Sequence, residues 1–149
     1  MKKARGARLL FSTAFVVLIL DVLSKSVVRS LLPTGDSMSV VPFLSITHVQ
    51  NVGIAFGLLQ FNIMRWLLVA IALAVVVAIA WSCKHHKLKE HFLAWGLIMG
   101  GALGNVIDRI MLGTVTDFID FHFWPAFNVA DSALTIGVII LVWHAWKKE

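Results

Sequence analysis

WGLIMGGALGNVIDR, residues 95–109, starts apolar and ends charged, and that change within one segment decides how the whole chain is read. Gly96, Gly100 and Gly104 recur every four residues, the spacing of small side chains that lets two helices approach closely in lipid. Gly101, Asn105, Asp108 and Arg109 occupy an adjoining polar stripe at i, i+4, i+7 and i+8. Ionisable groups inside a membrane cost a few kcal/mol each, so this stripe must face protein or a wet cavity and not lipid.

Outward from this segment, four stretches are long enough to cross a bilayer: roughly 9–30, 64–83, 91–110 and 127–146. Each is near the ~20 residues that a hydrocarbon core requires. A helix satisfies its own backbone in lipid, so the four stretches are expected to be helices. Composition agrees: 59% of the 149 residues are hydrophobic and 14% charged, against roughly 25% charged in soluble domains. The length fits one membrane domain over residues 1–149. The opening MKKARGARLLFSTAFVVLILD imitates a secretory signal, but Asp21 and Lys25 follow without a small-residue cleavage site, so a retained first span is expected.

The cations set the orientation. Nine of the 13 Lys and Arg lie before span one, between spans two and three, or after span four. The loops 31–63 and 111–126 carry none. Both termini are therefore placed in the cytoplasm. Trp66, Trp81, Trp124, Trp143 and Trp146 fall near span ends, as interfacial anchors do. The loop 31–63 contains SVVPFLSITHVQ (39–50), rich in β-branched and aromatic residues and punctuated by Pro33, Gly35 and Pro42. The fold class is thus an all-α membrane protein of four transmembrane helices, with a small β-rich extracytoplasmic segment between helices one and two. The loop 111–126 reads as a short connection. The net charge of +5 does not signal nucleic acid, because the cations serve topology and are not interleaved with aromatics.

With this threading, the acidic residues converge on the outer face. Asp21 and Lys25 share a helical face in the outer half of span one and can pair. Asp108 and Arg109 end span three and read as a structural ion pair, Asp131 opens span four, and Asp117 and Asp120 lie between them. The pattern N-x-x-D occurs twice, as Asn105–Asp108 and Asn128–Asp131, placing an amide on the face of a carboxylate. It serves either to orient a reacting acid or to clamp two helices together.

Other chemistries lack their residues. Ser132 has no evident His–Asp partners, and Cys83 lies on the cytoplasmic side as an incidental thiol. The six His are scattered without zinc-ligand spacing, and His48 and His122, the outward pair, read as surface residues. Two close carboxylates sharing one proton suffice for hydrolysis, with no metal and no cofactor. Proton relay, ion passage and a purely structural scaffold remain open on the residues alone.

The strings DVLSK (21–25), NVGIAFG (51–57), GGALGNVIDR (100–109), VTDFIDF (115–121) and FNVAD (127–131) together resemble lipoprotein signal peptidase, or signal peptidase II, over nearly the whole chain. The resemblance implies an aspartic endopeptidase in the bacterial cytoplasmic (inner) membrane, its site at the extracytoplasmic face. It implies Asp117 and Asp131 as the catalytic pair, with Asp120 and then Asp108 as less favoured alternatives to Asp117. Asn105, Asp108, Arg109 and Asn128 would shape and orient the site, Asp21 and Lys25 match the span-one motif, and Asn51 and Gly53 match a substrate-contacting outer motif. The implied substrates are bacterial prolipoproteins carrying a diacylglyceryl group, cut just before the lipidated cysteine. Membrane lipids are the other partners, and a monomer is expected because one chain supplies every catalytic group. The stretch from Asp117 to Asp131 is a few residues shorter than is common in that family, which trims the loop over the site.

Overall fold

The computed structural model describes residues 2–53, 61–85, 88 and 90–147. Among these residues four helices form: α1 (Lys2–Leu31), α2 (Phe61–Lys84), α3 (Phe92–Leu112) and α4 (Val129–Trp146). Strands β1 (Ser37–Val41) and β2 (Leu44–Asn51) lie between the first two helices, and β3 (Val115–Asp120) between the last two. Among the described residues three helices are long and apolar enough to cross a membrane, over Ala4–Leu31, Asn62–Lys84 and Val129–Trp146. The helix α3 has the length, at 21 residues, but carries four glycines together with Asn105, Asp108 and Arg109.

That composition has a packing cause. The helix α3 is central and touches α1, α2 and α4. A Cβ added at Gly100 would stand 2.6 Å from the Ala14 carbonyl oxygen of α1, and one at Gly101 would stand 2.5 Å from the Ala130 oxygen of α4. A Cβ at Gly104 would collide with the Asp21 carboxylate. Without a hydrophobic drive between helices in lipid, such close backbone contact supplies the attraction. The glycine seam therefore packs, as its spacing predicts, and leaves room for one buried carboxylate. Leu10, Ala14, Ile79, Cys83, Ile98 and Met99 fill the core where α1, α2 and α3 meet. The outward sides of α1, α2 and α4 stay apolar and exposed, for example Phe15, Val77 and Ile139. Trp66, Trp81, Trp124, Trp143 and Trp146 are exposed too.

The sheet extends beyond the expectation. The outer segment does form an antiparallel pair, β1 with β2, in the register Ser37↔Thr47 and Met38↔Ile46. However, 115–120 is a third strand and not plain loop, antiparallel to β2 with Val49↔Asp117 and Asn51↔Val115. Val115, Thr116, Phe118 and Ile119 are β-formers, and a ready edge on β2 outweighs the two intervening aspartates. On its other side β3 is closed by a bridge from Ile119 to Phe127. A second correction concerns His48, which is buried and not on the surface. Its Nδ1 is 2.8 Å from the Leu32 carbonyl and its Nε2 is 2.8 Å from Gln50 Nε2, so it ties the end of α1 to the sheet. Of the NVGIAFG string, Ile54–Gly57 fall outside the described residues.

Candidate active site

Asp117 and Asp131 arrive at the site by different routes. Asp117 sits on β3, opposite Val49. Asn51, two residues along β2, is its diagonal neighbour on the same face of the sheet, and donates from Nδ2 to Asp117 Oδ2 at 2.8 Å. Asp131 sits in the first turn of α4, whose N-cap is Asn128 in extended conformation. The cap follows from the sequence: an Asn side chain accepts a backbone N–H that the first helical turn leaves unpaired. Here Asn128 Oδ1 accepts from Asp131 N at 2.9 Å. The same side chain donates from Nδ2 to Asp117 Oδ1 at 2.7 Å. One amide therefore spans from the acid on the strand to the acid on the helix.

Asn105, on α3, completes the bridge. Its Nδ2 donates to Asp131 Oδ1 at 2.8 Å, and its Oδ1 accepts from Lys25 Nζ at 3.0 Å. Both N-x-x-D amides thus touch an acid of the pair, and Asn105 touches Asp131 and not its own partner Asp108.

Beside the pair lies a largely enclosed ion cluster. Lys25 Nζ is 2.7 Å from Asp21 Oδ2, and both side chains are 0% exposed. The pairing expected from their spacing is present. Asp21 also accepts the Ala130 backbone N–H of α4 at 2.9 Å, so a carboxylate from α1 helps to cap α4. Lys25 lies 3.5 Å from Asp108. Here the expected Asp108–Arg109 ion pair gives way: Asp108 pairs with Lys25 and, at 3.2 Å, with Arg29. Adjacent residues on a helix point in different directions. Arg109 instead donates to the Asn105 carbonyl at 3.3 Å, within electrostatic reach of Asp131 and Asp117. Asp108 is held by backbone as well, accepting the Thr116 N–H at 2.9 Å.

Gly53 occupies the left-handed region at φ 75°, and its N–H donates to Asn51 Oδ1 at 2.7 Å. A Cβ there would stand 2.7 Å from Leu68 Cδ1 and 3.7 Å from Arg109. Glycine lets this turn close over Arg109 while holding the Asn51 amide toward Asp117. Asp120 lies apart: it accepts from Thr47 Oγ1 at 3.0 Å and from the His122 N–H at 2.8 Å.

Burial pushes the Asp117 carboxyl up to about 6, with the neighbouring Asp131 charge adding to the rise against the donations from Asn51 and Asn128. A groove of about 490 Å³ opens beside Asp131, lined by Trp124, Pro125, Phe127, Thr135 and Ile136 among others. Two interacting carboxyls, one inclined to hold its proton, beside an apolar groove can activate water on one side and protonate a carbonyl on the other. Arg29 and Thr116 belong to this network although neither is among the expected site residues. The signal for Arg29 was its i+4 step from Lys25, which continues the face begun by Asp21.

The family described as signal peptidase (SPase) II matches residues 13–147. The chain belongs to the signal peptidase II family. A lipoprotein signal peptidase of Paraburkholderia phymatum is 43% identical over 142 residues, covering 91% of this chain and 86% of that protein. One from Polynucleobacter necessarius is 42% identical over 143 residues, covering 91% and 88%. A solved bacterial membrane enzyme, at 1.9 Å resolution, is 34% identical with a TM-score of 0.83, covering 94% of each chain. A second, at 2.3 Å, is also 34% identical, with a TM-score of 0.81 over 93% of this chain and 87% of that one. This signal peptidase II family member is thus a peptidase by kinship, and its membrane character agrees with that of its structural relatives.

Proposed function

We propose that the chain is an intramembrane aspartic endopeptidase that removes the signal peptide from diacylglyceryl-modified bacterial prolipoproteins, cutting just before the lipidated cysteine. The observation that carries this reading is the Asn128 amide linking Asp117 and Asp131. Asp117, with its raised pKa, is the acid, and Asp131 is the base. Asp131 takes a proton from water as the hydroxyl oxygen adds to the scissile carbonyl carbon, and Asp117 gives its proton to the carbonyl oxygen. Collapse of the tetrahedral adduct breaks the C–N bond as Asp131 passes its proton to the leaving amine and Asp117 recovers one from the gem-diol hydroxyl. Asn51, Asn105 and Asn128 keep the two acids in register. Arg109 moderates their combined charge, and neither metal nor cofactor takes a part.

The names of the curated relatives support the prolipoprotein substrate. In this reading one peptidase domain covers 1–149, and α3 is the fourth crossing, its polar side shielded by α1 and α4. Both termini are cytoplasmic, and the dyad lies at the extracytoplasmic face of the inner membrane. A substrate anchored by a signal helix and two acyl chains holds its scissile bond at that depth. The exposed apolar β1 residues Met38, Val40 and Val41 suit a sheet resting on the membrane surface. The enzyme acts as a monomer.

The test is cleavage of a diacylglyceryl-modified substrate by purified protein in lipid. Asp117→Asn and Asp131→Asn should each insert and fold but not cut. Wild-type cleavage by either would remove the dyad. Equal cleavage of unlipidated substrate would remove the proposed specificity and leave the dyad standing.

A further inference from the structure

We propose that Arg29 is a positioning residue that, through Asp108 and Thr116, sets where the strand bearing Asp117 sits relative to Asp131. The proposal rests on the dyad reading above. Thr116 immediately precedes Asp117 and is wholly buried. All three of its polar groups are held by helices. Its N–H donates to Asp108 Oδ2 of α3 at 2.9 Å. Its carbonyl accepts from Asn128 at the head of α4 at 3.4 Å. Its hydroxyl accepts from Arg29 of α1 at 3.0 Å.

The Arg29 guanidinium makes this a joint and not a single bond. Its Nη1 donates both to Thr116 Oγ1 and to Asp108 Oδ1, the latter at 3.2 Å. Its Nη2 rests on Ser26 Oγ at 3.2 Å, which fixes the fork one turn back along α1. A guanidinium presents its N–H donors in a rigid planar fork, whereas an ammonium's three donors rotate freely.

The placement along α1 gives the joint its purpose. Asp21, Lys25 and Arg29 are spaced by four and share one helical face. Asp21 grips the first turn of α4 through the Ala130 N–H, and Lys25 grips Asn105, which holds Asp131. Arg29 grips the residue before Asp117. A single face of α1 therefore references both acids, two turns apart. Reacting groups displaced by about 1 Å lose on the order of a hundredfold in rate, so slack at Thr116 is felt at Asp117.

The experiment uses the full chain in lipid with a diacylglyceryl-modified peptide, reading kcat, KM and thermal unfolding. Arg29→Met should lower kcat by about tenfold or more with KM held within about twofold, the mark of an interaction that matters in the transition state. Arg29→Lys should recover part of that loss by restoring the charge and one bond. Thr116→Val should lower kcat comparably, and the double variant Arg29→Met/Thr116→Val should cost little more than either alone. If Arg29→Met fails to fold, the milder Arg29→Lys and Thr116→Val carry the same comparison. Wild-type kcat in Arg29→Met, additive losses in the double variant, or a loss confined to KM would each overturn the proposal. Asp117→Asn, run beside them, separates the two readings. If it is inactive while Arg29→Met is normal, only the positioning role falls; if it is active, the dyad falls.

Discussion

Asn128 donates to Asp117 at 2.7 Å from one end of its side-chain amide and accepts the Asp131 backbone N–H at 2.9 Å at the other. Because an amide is planar, these two bonds fix a direction as well as a distance. The helix cap and the spacer between the two acids are therefore one group, and a change at this residue disturbs both.

Two variants weigh these duties. Asn128→Ala loses the cap, worth about 1 kcal/mol, and the donor to Asp117, so both Tm and cleavage should fall. Asn128→Asp keeps a good cap but puts an acceptor where Asp117 needs a donor. As a buried carboxylate facing the acceptors of Asp117, Asn105 and Thr116, it should also melt below wild type, and it should cleave at least about a hundredfold more slowly. A Tm and rate measurement on both variants checks this.

The pH dependence follows from Asp117. Its folded pKa is raised from 3.8 to about 6, chiefly by burial. A carboxyl whose pKa rises on folding gives stability that is complete below about pH 4 and lost as pH climbs through about 6. The span corresponds to at most about 3 kcal/mol. Asp117→Asn should therefore melt above wild type at pH 7.5, with the advantage vanishing by about pH 4. In the active enzyme, cleavage should decline on the alkaline side as Asp117 gives up the proton it must deliver.

The enclosed Lys25–Asp21 pair should be worth little as a pair and much as a constraint. Lys25→Met strands the buried Asp21 carboxylate while Asp108 keeps Arg29, a loss of about 3–5 kcal/mol. Adding Asp21→Asn to it should recover part of the folded yield, measured by detergent-resistant monodispersity and Tm. A double variant no better than Lys25→Met would contradict this account.

Asp120 tests the choice of acid on β3. Its carboxyl is only partly buried and held below the usual range, first by the His122 backbone N–H. Asp120→Ala should cleave within about twofold of wild type. An inactive, well-folded Asp120→Ala would move the dyad assignment.

Much of this arrangement is legible in the residue order, for reasons that differ by element. The helices α1, α2 and α4 announce themselves because lipid demands long apolar runs. The helix α3 was read from its glycine spacing, and it is less apolar because its neighbours and not lipid cover it. The third strand was hidden by Asp117 and Asp120, which depress strand propensity, and its partner β2 lies more than 60 residues away. Asp108 was paired with its neighbour Arg109 because local spacing is all a sequence displays. Its actual partners, Lys25 and Arg29, come from another helix. His48 looked like surface because nothing local reveals that Leu32 and Gln50 enclose it.

One acid rides on a strand and the other on a helix, so the gap between them is also the seam between the sheet and the helices. A small molecule wedged under the β1–β2 hairpin would pry that seam apart and silence the chemistry without touching either carboxylate. Resistance to such a compound would then arise at hairpin positions remote from the acids, leaving the cutting residues themselves unchanged.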